Sequence, residues 1–276
     1  QDLSAAWLDP ASSRHIPYSR VAPLHQPHAL SSVKILKALY PELAQIGCFD
    51  TAFHAGHVPV FRHYALPKHL RDRGVRRYGF HGLSYEWTAH VLAEKHPELA
   101  QGRVVAAHLG NGASLCAMKA GKSIDTTMGM TALDGLPMGT RCGSIDPGVT
   151  LHMMRELGMS ADEIDRTLSY ESGLKGLSGI SGDMRELVAS AKPEARFAVD
   201  YFTMMAAQHV ARMAVALGGL DALIFTGGIG EHQESVRQAI VQHLAFLPSF
   251  TTLVVEADEE RMIARHCRTL LKEGKQ

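Results

Sequence analysis

Two glycine-rich runs, His108-Leu109-Gly110-Asn111-Gly112 and Gly227-Gly228-Ile229-Gly230-Glu231, each follow an apolar stretch that reads as a strand. A strand feeding a turn of glycines lets phosphate oxygens approach main-chain N–H groups closely. Neither run has the Walker spacing GxxxxGK(S/T) or the dinucleotide spacing GxGxxG, so the standard phosphate loops do not account for them. Arg141 lies in Gly139-Thr140-Arg141-Cys142-Gly143, where flexible neighbours can aim a guanidinium into a cleft. His81 lies in Gly79-Phe80-His81-Gly82, whose glycines predict a sharp turn that exposes the imidazole. Asp50 follows Ile46-Gly47-Cys48-Phe49, at the C-terminal end of an expected buried strand, a usual place for reactive groups in open α/β sheets. Taken singly, these features also fit tight turns, a surface arginine, a structural histidine and a capping aspartate. Together they suit phosphoryl transfer, which needs cations and dipoles around the equatorial oxygens more than covalent machinery.

The elements expected to position them alternate between strand and helix. Pro10, Pro17, Pro23 and Pro27 keep the first thirty residues irregular. A short helix is expected from Ser31 to Leu43, with Val33, Leu36, Leu39 and Tyr40 on one face. Another is expected from Pro67 to Arg73, and Ser84 should cap a third running to about Lys95. From Arg103 the chain reads strand, turn, strand, with a hairpin turn at Ala120-Gly121-Lys122-Ser123. Val149, Met153 and Leu157 repeat at helical spacing, and Ser160 with Glu163 makes a capping box. A Gly/Ser-rich run over 172–182 leads to a helix starting at Asp183-Met184-Arg185. The longest helix should span Glu194 to Leu217, with Phe202, Ala206, Val210 and Met213 in its core stripe and Met204-Met205 also buried. An apolar strand over 220–225, a helix carrying Val236, Ile240 and Leu244, a strand near 253–255 and a helix capped by Asp258 complete an α/β pattern with mixed sheets.

Composition narrows the partners. Lys plus Arg equal Asp plus Glu at 28 each, which gives nucleic acid no basic surplus to bind. No apolar run has the length of a membrane span. Cys48, Cys116, Cys142 and Cys267 are widely spaced without a CxxC pair, a usage that fits a reducing, cytoplasmic setting. His54 and His57 have no carboxylate or cysteine at ligand spacing to complete a zinc site. The chain starts at Gln1 without a convincing domain start, so it is expected to be a piece of something longer.

Seven ordered segments resemble acetate kinase: FDTAFH (49–54), RYGFHGLSYE (77–86), HLGNGASL (108–115), SIDTTMGMTALDGLPMGTRCGSIDPG (123–148), SGDMRE (181–186), FTGGIGEH (225–232) and ADEERMIA (257–264). The resemblance implies a two-domain, actin-like ATPase (ribonuclease H-like) α/β fold with mixed sheets, whose N-terminal domain is largely missing here. About the first hundred residues of the family pattern, a sizeable part of a domain, have no counterpart. By that analogy residues 1–50 are a remnant of the first domain. Residues 51–258 are the second domain, which binds nucleotide and forms a homodimer, and 259–276 are a C-terminal helix returning to the first domain.

The resemblance also implies the reaction: acetate plus ATP to acetyl phosphate plus ADP, by in-line transfer with Mg2+, in the cytoplasm and serving acetyl-CoA biosynthesis. Asp50, His81 and Arg141 match the catalytic residues. His108, Leu109, Gly110, Asn111 and Gly112 match a nucleotide phosphate loop. Asp183, Met184, Arg185 and Gly227, Gly228, Ile229, Gly230, Glu231 match segments that hold the rest of ATP. Glu259 matches a carboxylate near the metal. Phe80 matches a wall of the acyl pocket. Ala132 stands where the family often has proline, and Tyr85 where it often has a second histidine. The Ala132 difference is expected to loosen the acyl pocket and favour propionate modestly. A propionate or butyrate kinase of the same family, or a silent nucleotide-binding remnant, are the alternatives. This chain alone is expected to be weakly active or inactive.

Overall fold

A computed structural model of the chain describes residues 5–7 and 26–273. It opens with an antiparallel ribbon of β1 (Ala5–Trp7) and β2 (Ile46–Cys48), separated in sequence by α1 (Gln26–Leu39). Short helices α2 (Pro59–Arg62) and α3 (Lys68–Arg71) precede α4 (Gly82–Lys95) and α5 (Pro97–Ala100). Then come β3 (Arg103–Leu109), β4 (Ala113–Lys119) and β5 (Lys122–Thr126). The β4–β5 hairpin turns at Ala120 and Gly121, both left-handed at φ 50° and 70°, the geometry that matches the twist of a two-residue loop.

A helical stretch follows: α6 (Pro147–Arg155), α7 (Ala161–Arg166) continued by a π-helical turn at Thr167–Glu171, α8 (Gly173–Ser178), α9 (Met184–Ala189) and the long α10 (Pro193–Leu217). The chain ends with β6 (Ala222–Thr226), α11 (Gly227–His232), α12 (Glu234–His243), β7 (Thr251–Val254) and α13 (Glu259–Glu273).

Five strands form one mixed sheet in the order β5-β4-β3-β6-β7. β3 pairs antiparallel with β4 and parallel with β6, so it lies at the centre of the sheet. Its alternation explains why its middle, Val104 to Ala107, is apolar throughout. Val105, Ala107 and Leu109 join a core with Phe202, Val210 and Met213 of α10, whereas Val104 and Ala106 face Tyr85 and Leu92 of α4. A stretch of strand covered by helices on both faces needs apolar residues at successive positions. Among the described residues no helix is long and apolar enough to cross a membrane.

Several expectations are corrected. The 46–49 strand is only partly buried and Phe49 is exposed, because β2 lies in a two-stranded ribbon and not inside the main sheet. α1 starts at Gln26 and stops at Leu39, and Leu36, Leu39 and the following Tyr40 are exposed. Ser84 does not cap α4: the helix starts at Gly82, with His81 at the cap position. Met204 is exposed while Met213 is fully buried, since the two methionines sit on different faces of α10. Val149 and Leu157 of the α6 region remain exposed. The Gly/Ser-rich run at 172–182 contains a short helix, α8, that its composition did not announce. The capping box of Ser160 and Glu163 is present, and Asp258 accepts from Arg261 N–H at 2.9 Å to start α13.

Candidate active site

The site forms where β2, β3 and the start of α4 meet. Asp50 follows β2, and its carbonyl accepts from Gly82 N–H at 2.8 Å, which docks the ribbon onto α4. Its carboxylate accepts from His81 N–H at 2.7 Å and more loosely from Leu83 N–H at 3.4 Å. The first N–H groups of a helix lack partners within the helix, and the residue at the cap position, His81, offers no side-chain cap of its own. Asp50 fills that role from thirty-one positions away, and a carboxylate there also suits the helix dipole. His81 is held left-handed, at φ 58° and ψ 27°, a conformation uncommon outside glycine and often found where function fixes a side chain.

The His81 ring is therefore delivered to the end of β3. It lies 4.3 Å from the His108 ring, the planes inclined by 31°. Its Nδ1 is 2.9 Å from Ser114 Oγ, and Ser114 also hydrogen-bonds the buried Tyr85 hydroxyl. His108 Nδ1 is 2.8 Å from Ser84 Oγ. Burial, and then the neighbouring His81, push His108 down to about 3, so it is neutral at physiological pH.

Gly112 is where these groups meet Arg141. A Cβ on Gly112 would lie 3.3 Å from His81 Nε2 and 3.6 Å from Arg141 Nη1. The absent side chain leaves room there for an atom between a ring nitrogen and a guanidinium. Arg141 Nη1 donates to the Ala132 carbonyl at 3.2 Å and contacts Met138 Sδ at 3.5 Å. It makes no ion pair among the described residues, and burial lowers its pKa from the ordinary value. A partly buried guanidinium with only neutral partners is unfavourable in isolation and well suited to an anion.

The remaining segments adjoin the same loop. Gly139 N–H donates to the Asn111 carbonyl at 3.0 Å, and a Cβ on Gly182 would meet the Gly139 carbonyl at 2.7 Å. The turns at 110–112, 138–141 and 181–183 are thus in direct contact. Gly227, at φ 76°, brings the start of α11 against Leu109, where a Cβ would lie 2.9 Å from the carbonyl.

The side chains of these segments have varied positions. Leu109 and Met184 are in the core, and Phe80 is buried beside Ala107 and Leu109 in the same cluster, with Ala132 packed against it. Asp183 caps α9 by accepting from Arg185 N–H at 2.8 Å, and its carboxylate pairs with the Arg185 guanidinium at 2.5 Å. Glu231 turns back to accept from Gly227 N–H at 2.8 Å and Ala257 N–H at 3.0 Å, tying α11 to the segment before α13. Gly228 faces open space. Glu259 is half-buried, and desolvation and then the charge of Asp50 raise its pKa. His54 and His57 lie 2.8 and 2.6 Å from Ser123 Oγ, serving the packing under β5.

Sequence reasoning passed over Ser84 and Ser114 as functional groups. Ser114 sits opposite His108 in the β3–β4 register, in a strand whose other buried residues are apolar. A hydroxyl in such a strand must find a partner, and that signal was available.

The acetokinase family profile matches residues 11–269. An acetate kinase of Nitrobacter hamburgensis is 49% identical over 271 residues, covering 91% of this chain and 67% of that protein. One of Rhodopseudomonas palustris strain TIE-1 is 48% identical over 281 residues, covering 94% of this chain and 71% of its own length. A propionate kinase structure from Francisella tularensis subsp. tularensis superposes with a TM-score of 0.90 at 36% identity, covering 95% of this chain and 74% of that one. The acetate kinase structure of Porphyromonas gingivalis gives 0.88 at 34% identity, covering 97% and 74%. The chain spans about two thirds to three quarters of the length of these relatives.

Proposed function

The chain belongs to the acetokinase family, and from that membership we propose that it is a kinase interconverting acetate plus ATP with acetyl phosphate plus ADP. The observation that carries this reading is the convergence of His81 Nε2 and Arg141 Nη1 over Gly112, beside a turn of glycines. A carboxylate oxygen of acetate attacks the γ-phosphorus in line. The new oxygen–phosphorus bond forms as the bond to the bridging oxygen breaks, and ADP leaves with that electron pair. Arg141 and His81 donate to the equatorial oxygens, where charge spreads in the transition state. The 110–112 turn, with the segments at 181–185 and 227–231 against it, holds the nucleotide phosphates.

Asp50 and Glu259 would hold Mg2+. Neither carboxylate has an ion-pair partner among the described residues, and burial and then the charge of Asp50 hold Glu259 above its ordinary pKa, a conflict a cation relieves. Mg2+ ordinarily takes one or two carboxylates together with substrate phosphates, and there it neutralises phosphate charge.

The same proposal divides the chain at 1–50, 51–258 and 259–276. It is supported by the packing of α13 on β2 and α4, where Met262 meets Leu83, Trp87 and Cys48. A homodimer is included, supported by exposed apolar side chains on α6 (Val149, Leu151, Met154) and on α10 (Phe197, Tyr201). So is a cytoplasmic location, in keeping with ATP as co-substrate and four unpaired thiols.

Trapping acetyl phosphate as its hydroxamate, with acetate, ATP and Mg2+ supplied, tests the reaction. Turnover that Arg141→Ala abolishes supports it, and failure to bind nucleotide at all overturns it. Propionate is the second substrate to compare, because of the likeness to a propionate kinase and because Ala132 carries the carbonyl that orients Arg141. Proline at that position keeps the carbonyl and adds bulk, so Ala132→Pro should lower kcat/KM for propionate relative to acetate, by no more than the ~1–3 kcal/mol of one methylene. An acetate preference unchanged by the substitution would sink the idea.

A further inference from the structure

We propose that Ser114 and Tyr85 are positioning residues that hold His81 as its Nε2–H tautomer, so that this nitrogen donates to the transferring phosphoryl group. The inference rests on the reading of His81 as a phosphoryl-facing side chain and deepens it.

The argument follows three protons. Tyr85 is fully buried, its ring edge-on to His54 at 5.8 Å, and its hydroxyl hydrogen-bonds Ser114 Oγ. Burial holds the phenol well above its ordinary pKa, so it keeps its proton and needs an acceptor. Among the described residues, Ser114 Oγ is the side-chain atom in reach. Ser114 is also fully buried, and its other side-chain neighbour is His81 Nδ1 at 2.9 Å. If Tyr85 O–H donates to Ser114, the serine proton is left for His81 Nδ1, which then accepts. The opposite order, with Nδ1–H donating to Ser114, strands either the tyrosine or the serine proton in a buried place without a side-chain acceptor. An unsatisfied buried donor is the costlier arrangement.

With Nδ1 accepting, the ring proton of neutral His81 lies on Nε2, the atom that faces Gly112 and Arg141. The ring is fixed on its other sides by the His81 N–H bond to Asp50 and by the His108 ring. A neutral donor in that place adds a hydrogen bond to an equatorial oxygen without a second positive charge to repel Arg141. The hydrogen bond made by one imidazole nitrogen commonly decides the protonation of the other.

The test is two-bond nitrogen–proton NMR of protein labelled with 15N-histidine, near pH 7.5, with the His81 signals identified by their loss in His81→Asn. The wild-type chain is expected to show the neutral Nε2–H pattern. Ser114→Ala should convert it to a tautomer mixture. In the kinase assay it should lower kcat about tenfold, the effect of one ordinary hydrogen bond, with KM values changed by less than about twofold. Tyr85→Phe should act in the same direction, and Ser114→Thr, which keeps the hydroxyl, should restore both readouts. A wild-type ring protonated on Nδ1, or a pattern indifferent to both Ser114→Ala and Tyr85→Phe, overturns the proposal. If Ser114→Ala does not fold, the wild-type spectrum and Tyr85→Phe decide. The NMR readout needs no turnover, so a chain inactive as a kinase counts against the proposed reaction alone.

Discussion

Arg141 has a carbonyl and a thioether for partners in a partly buried setting, so its charge is unmatched until an anion arrives. Its replacement therefore separates function from stability. On the proposed reaction, Arg141→Ala is expected to lower kcat by about 100-fold or more, with a smaller change in KM, because it would remove a donor to the charge developing on the phosphoryl group. The thermal midpoint should stay level or rise, since an uncompensated buried charge is also removed. Steady-state kinetics beside a melting curve check this, and a loss confined to KM would make Arg141 a ground-state binder. Arg141 and His81 were legible in the sequence because glycines flank them. The role of Asp50 as an external cap for α4 was not, because it joins positions thirty-one residues apart in the sequence.

At the scale of elements, two glycines in the facing turns have different duties. Gly227 has φ 76°, and a Cβ there would press on the Leu109 carbonyl at 2.9 Å. Gly227→Ala should destabilise the fold by roughly 1–3 kcal/mol in urea titration, combining a strained backbone with a backbone clash. Gly112 is not in that region, and its missing Cβ faces side chains, His81 Nε2 at 3.3 Å and Arg141 Nη1 at 3.6 Å. Gly112→Ala should leave the urea midpoint nearly unchanged while reducing kcat, as a methyl group enters the space proposed for the phosphoryl group. Equal destabilisation by the two substitutions would refute the distinction. The sequence presents both as glycines after a strand, and only their neighbours tell them apart.

For the whole molecule, buried histidines set the response to acid. Burial lowers His54 and His209 to about 4 and His57 and His108 to about 3. Each has a folded pKa below its unfolded value near 6.5, so the unfolded chain binds more protons as pH falls. The stability these neutral rings contribute is fully present above about pH 6.5 and is lost progressively from there toward pH 4. Each such group can remove at most about 1.4 kcal/mol per pH unit inside that window. The thermal midpoint should be level from pH 8 to 7 and fall with increasing slope below 6.5. A midpoint constant down to pH 5 would show that these rings are not buried as neutral bases.

The amino-acid sequence by itself determined the local grammar of this protein. Continuous apolar runs marked β3 and β6, Ala120-Gly121 marked the hairpin, Ser160 and Glu163 marked a helix start, and ordered motifs marked the family. Those features depend on neighbours along the chain, where periodicity, turn chemistry and capping act. Which apolar faces are covered was decided only in the tertiary structure. Met213 is buried and Met204 is not, and α6 carries helical periodicity yet stays exposed, because burial depends on what the rest of the fold brings alongside. The same holds for the contacts of the candidate site. His81 meets Asp50, Ser114, His108 and, across Gly112, Arg141 because a left-handed residue at the start of α4 points its ring at the end of the central strand. The chain supplies each group locally, and the packing of α4 against β3 sets the distances between them.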